Sequence, residues 1–292
     1  MTFLRIKELE PQQIPLITQW ARDEGFAPGV GDVEIYRHTD RQGVWIGWLG
    51  SEPVGCIAGV KYNLDYGFVG LYIVIPEQRG HGYGQALWKH ALDHLSDVSC
   101  VGLEAVDTRI EDYSAWGFEA STPTTRWQSI NPQPVKENAI SLPDGMSIQS
   151  GEHMASTAVQ IYDAQRELSP RPHFLADWLS HPAGEVLTMS DQSGECHGFA
   201  RIRPCLLRTG QGWRIGPLLA DTADLAGALL QSFIQQYSGV ILIDTPGLNP
   251  RAADLMTQLG FERQTQTMRM YRGDLPTVAM DEVFALACLE LG

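Results

Sequence analysis

The pattern of apolar and polar positions divides the first 130 residues into short strands and amphipathic helices. Apolar runs over residues 44–49 and 54–62, separated by the turn Gly50–Pro53, predict an antiparallel hairpin. A third apolar strand is predicted at Gly70–Ile75 and a last one near Arg126–Ile130. Between them the apolar spacing becomes helical and predicts one buried helix face, made of Leu87, Trp88, Ala91, Leu92 and Leu95. The predicted order is β, α, α, β, β, β, α, β, α and β.

The same order partly restarts in the second half of the chain. Residues 133–147 are rich in Pro, Asn and Ser and predict a linker. After it the pattern predicts helices at 152–167 and 170–181, a hairpin at 186–202, and then strand, helix, strand and helix at 213–219, 221–237, 240–244 and 249–259. Gly260-Phe261 repeats Gly117-Phe118 at an offset of 260 − 117 = 143 residues. We therefore predict two copies of one fold, with domains over residues 1–132 and 148–292.

Composition and charge fit a globular protein without a polyanionic partner. The chain has 292 residues, of which 43% are hydrophobic and 19% are charged. Residues 1–132 carry 10 basic and 17 acidic side chains (10 − 17 = −7), and the remainder carry 11 and 18 (11 − 18 = −7), which gives the total of −14. Because no basic patch stands out, the sequence argues against nucleic acid or an anionic membrane as the main partner.

Cysteine, histidine and apolar-segment patterns favour a cytoplasmic protein without a metal. The five cysteines are odd in number and form no CxxC motif, which predicts reduced thiols. The first residues lack the apolar core of a signal peptide, and no apolar run approaches the roughly 20 residues of a membrane helix. The eight histidines are scattered, so no metal site is expected.

The turn between the third strand and its helix carries the most informative chemistry. Gly80, Gly82 and Gly84 precede the helix, whose first backbone N–H groups lack intrahelical acceptors and carry the positive end of the helix dipole. Such a turn suits an anionic phosphate group. No Lys-Ser or Lys-Thr follows, which excludes a P-loop, and the glycine spacing differs from G-x-G-x-x-G. A tight turn without a ligand is the alternative.

The remaining form of this turn is R-x-x-G-x-G, over Arg79-Gly80-His81-Gly82-Tyr83-Gly84. It resembles the coenzyme A pyrophosphate loop of the GNAT superfamily of N-acetyltransferases, and the repeat resembles the tandem two-domain branch of that superfamily. The resemblance implies an α/β fold with a mixed sheet in each domain and acetyl-CoA as co-substrate. It implies that Arg79, Gly80, His81, Gly82, Tyr83, Gly84 and Gln85 bind the pyrophosphate, and that Tyr72, Ile73 and Val74 bind the pantetheine arm through their backbone.

A second segment, Tyr113-Ser-Ala-Trp-Gly117-Phe118, resembles the GNAT segment whose tyrosine protonates the departing coenzyme A thiolate. A thioester attacked by an amine develops negative charge on sulfur, and a phenol within hydrogen-bond reach can protonate it. The resemblance therefore implies a catalytic role for Tyr113. The alternative is a tyrosine that only packs in the core.

Attack by an amine also requires a base, because an alkyl ammonium has a pKa of about 10. Glu104, on the strand before Tyr113, occupies a place where some GNAT members have a basic glutamate, and Asp107 is the second candidate. The alternative for Glu104 is a structural or substrate-binding carboxylate. One departure concerns the turn Val106–Arg109, which is shorter than in many relatives and lacks their asparagine.

The second copy lacks both the glycine-rich turn and the tyrosine. At the offset of 143, Arg79 falls on Thr222, Gly82 on Leu225 and Tyr113 on Met256. We therefore expect only the N-terminal domain to bind acetyl-CoA, beside a degenerate C-terminal copy.

The sequence leaves the acceptor open. An N-acetyltransferase acting on a small primary amine is the leading hypothesis; a protein or peptide N-acetyltransferase and a non-catalytic acyl-CoA sensor are the alternatives, and a structural protein with a relic loop is a third. In GNAT folds the acceptor enters past the first helices, here over Trp20–Val33. Asp23, Glu24 and Asp32 could attract a cation there and Phe26 could stack on it, or the loop could simply be a solvated acidic one. A homodimer through the second domain is also left open.

Overall fold

The computed structural model describes residues 3–134, 142–151, 156–275 and 280–292. Within these ranges the helices are α1 Ile14–Asp23, α2 Asp32–Thr39, α3 Tyr83–His94, α4 Ile110–Ser114, α5 Ser156–Ala164, α6 Pro172–Ser180, α7 Ala223–Gln236 and α8 Pro250–Gln258. The strands are β1 Leu4–Glu8, β2 Val44–Leu49, β3 Glu52–Lys61, β4 Tyr66–Val74, β5 Cys100–Ala105, β6 Glu119–Ile130, β7 Ser147–Ser150, β8 Glu185–Ser190, β9 Cys196–Leu206, β10 Gln211–Ala220, β11 Val240–Pro246, β12 Glu262–Gly273 and β13 Val283–Ala285.

All these strands join one mixed sheet in which the two halves of the chain exchange a strand. The order is β1-β2-β3-β4-β5-β12-β6-β11-β10-β9-β8-β7, with β13 paired to β10. Strand β12, from the second half, pairs antiparallel with β5, and β6, from the first half, pairs antiparallel with β11. Each half therefore completes its sheet with the last long strand of the other half.

The two exchanged strands also pair with each other and mark a local twofold axis. Both have 12 residues, and they begin 262 − 119 = 143 residues apart, which is the offset of the sequence repeat. In the β6–β12 ladder Thr124 lies opposite Thr267, and 124 + 143 = 267. The pair Glu119–Tyr271 is matched in the same way by Gln128–Glu262. The predicted repeat is thus visible in the register of the central ladder.

Helical and strand periodicity located most of the elements. Helix α3 buries the predicted residues Leu87, Trp88, Ala91, Leu92 and Leu95, and strand β2 has the predicted bounds. Strand β4 begins at Tyr66, four residues before the predicted start, and β6 begins at Glu119, seven residues before it. Strands β7 and β13 were not predicted from the sequence, and β7 begins at the last residue of the predicted linker. Residues 135–141 of that linker and 152–155 of the next predicted helix lie outside the described residues.

Two further expectations concern the cysteines and the membrane. All five cysteines lie in described segments and are buried as free thiols. Across the described part of the chain no helix is both long and apolar enough to cross a membrane.

Candidate active site

Strand β4 leaves its neighbour β5 halfway along its length. The parallel β4–β5 pairing covers Tyr66–Val69 only. Leu71 follows with a φ of 46°, and the register between β3 and β4 shifts around it, which marks a bulge. The backbone of residues 70–74 therefore faces a gap on its β5 side. An extended ligand arm can pair with the backbone on this side, where the carbonyl of Val74 already accepts from Arg79 Nε at 2.8 Å. The backbone contacts expected at Tyr72, Ile73 and Val74 stay a prediction.

The glycine-rich turn leaves its backbone N–H groups bare at the mouth of that gap. Gly80 and Gly82 have φ values of 80° and 84°, and a Cβ added at either would meet nothing within 4 Å. Gly82 is the N-cap of α3 and supplies no side-chain cap. The N–H of Ala86 donates to the carbonyl of Gly82 at 3.1 Å, so the N–H groups of residues 83–85 have no acceptor within the helix. This cradle fits a diphosphate.

One cavity of about 1230 Å³ joins the turn to the predicted catalytic residues. Its lining includes Tyr72, Val74, Arg79, Gly80, Gly82, Gly84, Gln85, Glu104 and Tyr113. The side chain of Ile73 is instead buried in the core, and the rings of His81 and Tyr83 stack on each other with centroids 5.7 Å apart. Backbone contacts to a ligand do not depend on these side chains, so the assignment of these residues to coenzyme A stays a prediction.

Tyr113 lies on α4 at the wall of this cavity. A 3-10 turn over Asp107–Arg109 leads directly into α4, so the short connection after β5 still delivers Tyr113 to the site. Its ring packs on Trp88 of α3, with centroids 5.0 Å apart. Burial, and to a lesser extent nearby Tyr72, raises the pKa of Tyr113 to about 12, although Arg109 opposes the shift. The phenol therefore keeps its proton throughout the neutral range.

Glu104 lines the cavity but is held by three donors. Its carboxylate accepts hydrogen bonds from Thr124 Oγ1 at 2.8 Å, from Thr267 Oγ1 at 2.6 Å and from Arg269 Nε at 2.6 Å. Its side chain is 5% exposed. Asp107, the second candidate base, is exposed and does not line the cavity. The role of Glu104 as a base stays a prediction.

The second half holds a counterpart of the Glu104–Arg269 pair. Asp244 on β11 lies opposite Arg126 on β6, as Glu104 on β5 lies opposite Arg269 on β12, and 126 + 143 = 269. Arg126 donates to both oxygens of Asp244, at 2.7 and 2.9 Å. Burial alone would raise the pKa of Asp244, but Arg126 and Arg214 lower it to about 2. Each exchanged strand thus brings an arginine to an acid on the other half.

The second half also builds one wall of the cavity. Thr265, Gln266 and Thr267 of β12 and Leu289 and Glu290 near the last residues line it. Gly70 of β4 accommodates the close approach of this last segment, since a Cβ at Gly70 would lie 1.8 Å from the carbonyl oxygen of Glu290. Sequence reasoning missed these residues. Local periodicity predicts strands but carries no signal for pairing between positions 163 residues apart, as in the Thr267–Glu104 bond.

The residues expected to contact the acceptor lie in three different environments. Glu24 and Phe26 line the cavity. Asp32 is fully buried and accepts from Arg203 Nε and Nη2 at 2.7 and 2.9 Å. Asp23 is exposed outside the cavity and accepts from Gln19 at 2.7 Å. Of the three carboxylates, only Glu24 can meet a ligand in this cavity.

The turn before α7 corresponds to the glycine-rich turn, but here side chains of the turn cap the helix and bind neighbouring groups. Thr222 caps α7, and its Oγ1 accepts from Leu225 N at 3.3 Å. Asp221 accepts from Tyr162 and Arg166 at 2.7 and 2.9 Å, and lies 2.7 Å from His197 Nδ1. A capped helix start beside a carboxylate disfavours a diphosphate. The degenerate second copy stays a prediction, which this arrangement supports.

The hairpin β8–β9 brings together Asp191, Glu195 and His197, whose possible ligand atoms lie within 4.8 Å of one another. No metal site is expected from the sequence, where these three residues form no recognised ligand motif. One oxygen of Asp191 already accepts from the backbone N–H groups of Ser193 and Glu195, at 2.8 and 3.0 Å. The group lies outside the cavity and provides no support for a metal in the site described above.

Comparison with protein families gives two matches in series. Residues 14–118 match the model of the "Acetyltransferase (GNAT) family", and residues 159–285 match that of an "Acetyltransferase (GNAT) domain". The two matches fall on the two halves that the repeat divides.

Three individual proteins are similar to this chain, in sequence or in structure, over nearly its whole length. Holothin acyltransferase of Pseudoalteromonas sp. (strain SANK 73390) is 31% identical over 286 residues, which cover 97% of this chain and 92% of that protein. A candidate acetyltransferase structure from Pyrococcus horikoshii has a TM-score of 0.79 at 20% identity and covers 100% of this chain and 98% of its own. A tandem GNAT protein from the clavulanic acid biosynthesis pathway has a TM-score of 0.65 at 14% identity, with coverages of 92% and 98%.

Proposed function

Because the chain belongs to the GNAT acetyltransferase family, we propose that it is an N-acetyltransferase that uses acetyl-CoA to acetylate a primary amine of a small molecule. A single cavity carries the proposal. In it the bare start of α3, the free edge of β4 and the Tyr113 ring all face the same space. These are the parts needed to hold a diphosphate, an extended arm and a departing sulfur.

The name of the relative from Pseudoalteromonas supports a small acceptor. That protein is an acyltransferase for holothin by its name, and it matches this chain over nearly its full length. The volume of about 1230 Å³ also provides room for an acceptor beside acetyl-CoA. We infer that the acceptor enters between the loop containing Glu24 and the wall formed by β12.

Bound acetyl-CoA would supply a thioester whose carbonyl carbon forms the new C–N bond with the amine, while the C–S bond breaks and its electron pair goes to sulfur. The bare N–H groups of residues 83–85 would hold the diphosphate, and the free β4 edge would align the arm. Tyr113 would donate its phenolic proton to the sulfur as the bond breaks. The amine would lose a proton to Glu104, which requires that one of the three donors to Glu104 make room.

The test is Tyr113→Phe, measured as acetylation of a panel of amines and as acetyl-CoA affinity. We expect kcat to fall about 100-fold or more, with the dissociation constant of acetyl-CoA almost unchanged. Since burial raises the pKa of Tyr113 to about 12, its proton is present at every pH below about 10, and kcat of the wild type should show no alkaline decline in that range due to Tyr113.

Tyr237→Phe is the matched control, because Tyr237 donates to Glu185 outside the cavity, at 2.8 Å. It should leave turnover unchanged. Full turnover by the Tyr113→Phe variant would remove this residue from catalysis. Tight binding of acetyl-CoA by the wild type without turnover of any amine would instead indicate a sensor.

A further inference from the structure

The acceptor side and the cofactor side of the cavity are joined by an ion pair. Arg79, in the glycine-rich turn, donates through Nη2 to Oε1 of Glu24, which follows α1. Arg79 also donates through Nε to the carbonyl of Val74, at 2.8 Å. The two side chains are 51% and 31% exposed, and both line the cavity. An arginine of the glycine-rich turn therefore holds the carboxylate of Glu24 at the edge of the same cavity.

The backbone around Glu24 is fixed by arginines from both halves of the chain and by strand β9. The carbonyl of Glu24 accepts from Arg208 Nη2 at 2.9 Å. The carbonyl of Phe26 accepts from Arg126 and Arg214 at 3.0 and 3.4 Å. Beyond it, backbone bonds join residues 28–30 to β9, from Leu206 N to Pro28 O and from Val30 N to Pro204 O. Because the loop backbone is held in place, only the side chain of Glu24 can move if Arg79 leaves it.

Among the cavity carboxylates that form an ion pair, Glu24 differs in the identity of its partner; Glu111 also lines the cavity and is exposed. Glu104 and Glu290 are bound by the buried arginines Arg269 and Arg214, and Asp112 is bound by Arg109 on the same helical turn. Only the partner of Glu24 belongs to the diphosphate cradle. A diphosphate carries more negative charge than one carboxylate and so attracts Arg79 more strongly. Its arrival removes the partner of Glu24 and leaves a carboxylate facing the acceptor space.

We propose that Glu24 is the acceptor-recognition residue, held by Arg79 until an acyl-CoA diphosphate takes that arginine, and then free to bind a cationic group of the acceptor. This inference rests on the proposed function, because it requires acyl-CoA in the cradle. Phe26 and Leu289 line the same cavity, so the preferred acceptor is a cation attached to an apolar body. Acyl-CoA then binds before the amine, because its diphosphate must take Arg79 before Glu24 can bind a cation.

The first test is calorimetric titration of acetyl-CoA into the wild type, Glu24→Gln and Asp23→Asn. The Glu24 carboxylate competes with the diphosphate for Arg79. Glu24→Gln should therefore bind acetyl-CoA about two- to five-fold more tightly, as expected for a half-exposed ion pair. Asp23→Asn removes an equal charge from the adjacent position outside the cavity and should leave the affinity unchanged. Equal shifts in both variants, or no shift in Glu24→Gln, would overturn the competition.

The second test uses 2-phenylethylammonium and its neutral analogue 2-phenylethanol, each titrated with and without saturating coenzyme A, so that no turnover occurs. The wild type should bind the cation more tightly when coenzyme A is present and should prefer it to the alcohol. Glu24→Gln should lose both differences, and Asp23→Asn should keep them. A wild type that shows no preference for the cation in the presence of coenzyme A would overturn the role of Glu24. A wild type that binds no acetyl-CoA would refute the proposed function itself.

Discussion

At the scale of single residues, Glu104 and Asp244 show how the exchange of strands shapes a candidate catalytic group. Both acids lie on the strand before an exchanged strand, and both pair with an arginine from the other half. Asp244 is fully enclosed by Arg126 and Arg214, whereas Glu104 has one arginine, two threonine hydroxyls and a place on the cavity wall. The equivalent position is buried between two arginines in one half and lines the cavity in the other.

Glu104→Gln tests which of these roles dominates. A glutamine oxygen can accept from Arg269 and Thr124 as the carboxylate does, and its amide can donate to Thr267, so we expect a folded protein. Because an amide cannot take the proton of the amine, kcat/KM should fall about 100-fold or more and lose the acidic limb of its pH profile. Asp107→Asn is the control and should keep the limb. An acidic limb that is unchanged in Glu104→Gln would leave Glu104 a purely structural role.

At the scale of elements, the starts of α3 and α7 differ in the feature that matters for an anion. Gly82 leaves the first N–H groups of α3 bare, while the hydroxyl of Thr222 accepts the Leu225 N–H in α7. The sequence predicted this contrast, because a glycine-rich turn and an uncapped start are local properties. It predicted α3 and the β2–β3 hairpin for the same reason.

Gly82→Trp tests the cradle at this scale. The indole would fill the space in front of the bare N–H groups, where a Cβ meets nothing within 4 Å, so acetyl-CoA binding should weaken about 100-fold or more in a titration. Gly194→Trp is the matched control, since Gly194 has a φ of 85° and the same open surroundings in a turn far along the chain. Both variants carry the same backbone strain. Unchanged affinity in Gly82→Trp would show that the diphosphate lies elsewhere.

The elements that escaped prediction have long-range causes. Residues 119–125 are mostly small or polar and lack strand alternation, yet they form the start of β6 because β12 pairs with this segment, and β11 joins on the other side from Thr124 onward. The predicted strand Gly70–Ile75 omits Tyr66–Val69, which is the part of β4 that pairs with β5. Local pattern therefore predicts the repeat, the glycine-rich turn and part of β6, but not the exchange of β6 and β12 between the halves or the residues that the exchange brings to the cavity.

At the scale of the whole molecule, the exchange makes each half depend on the other. Strand β12 fills the place beside β5, and β6 fills the place beside β11. Arg208 and Arg214 of the second half hold the loop of Glu24 and Phe26. The second half thus provides sheet, loop anchors and cavity wall to the proposed active site.

Separate expression of residues 1–134 and 142–292 tests this dependence. Each fragment alone lacks a neighbour for a central strand and leaves a buried acid or arginine without its partner, so we expect neither to unfold cooperatively on heating. The two fragments expressed together should form a one-to-one complex with a single sharp transition. A fragment 1–134 that is folded and binds acetyl-CoA alone would contradict the account.

A calorimetric titration of acetyl-CoA into the intact chain, read for stoichiometry, tests whether the first half alone binds the ligand. We predict one site per chain, formed by the bare start of α3 and the edge of β4. Two sites per chain would show that the turn before α7 binds the ligand despite its cap. The absence of binding would contradict the proposed function.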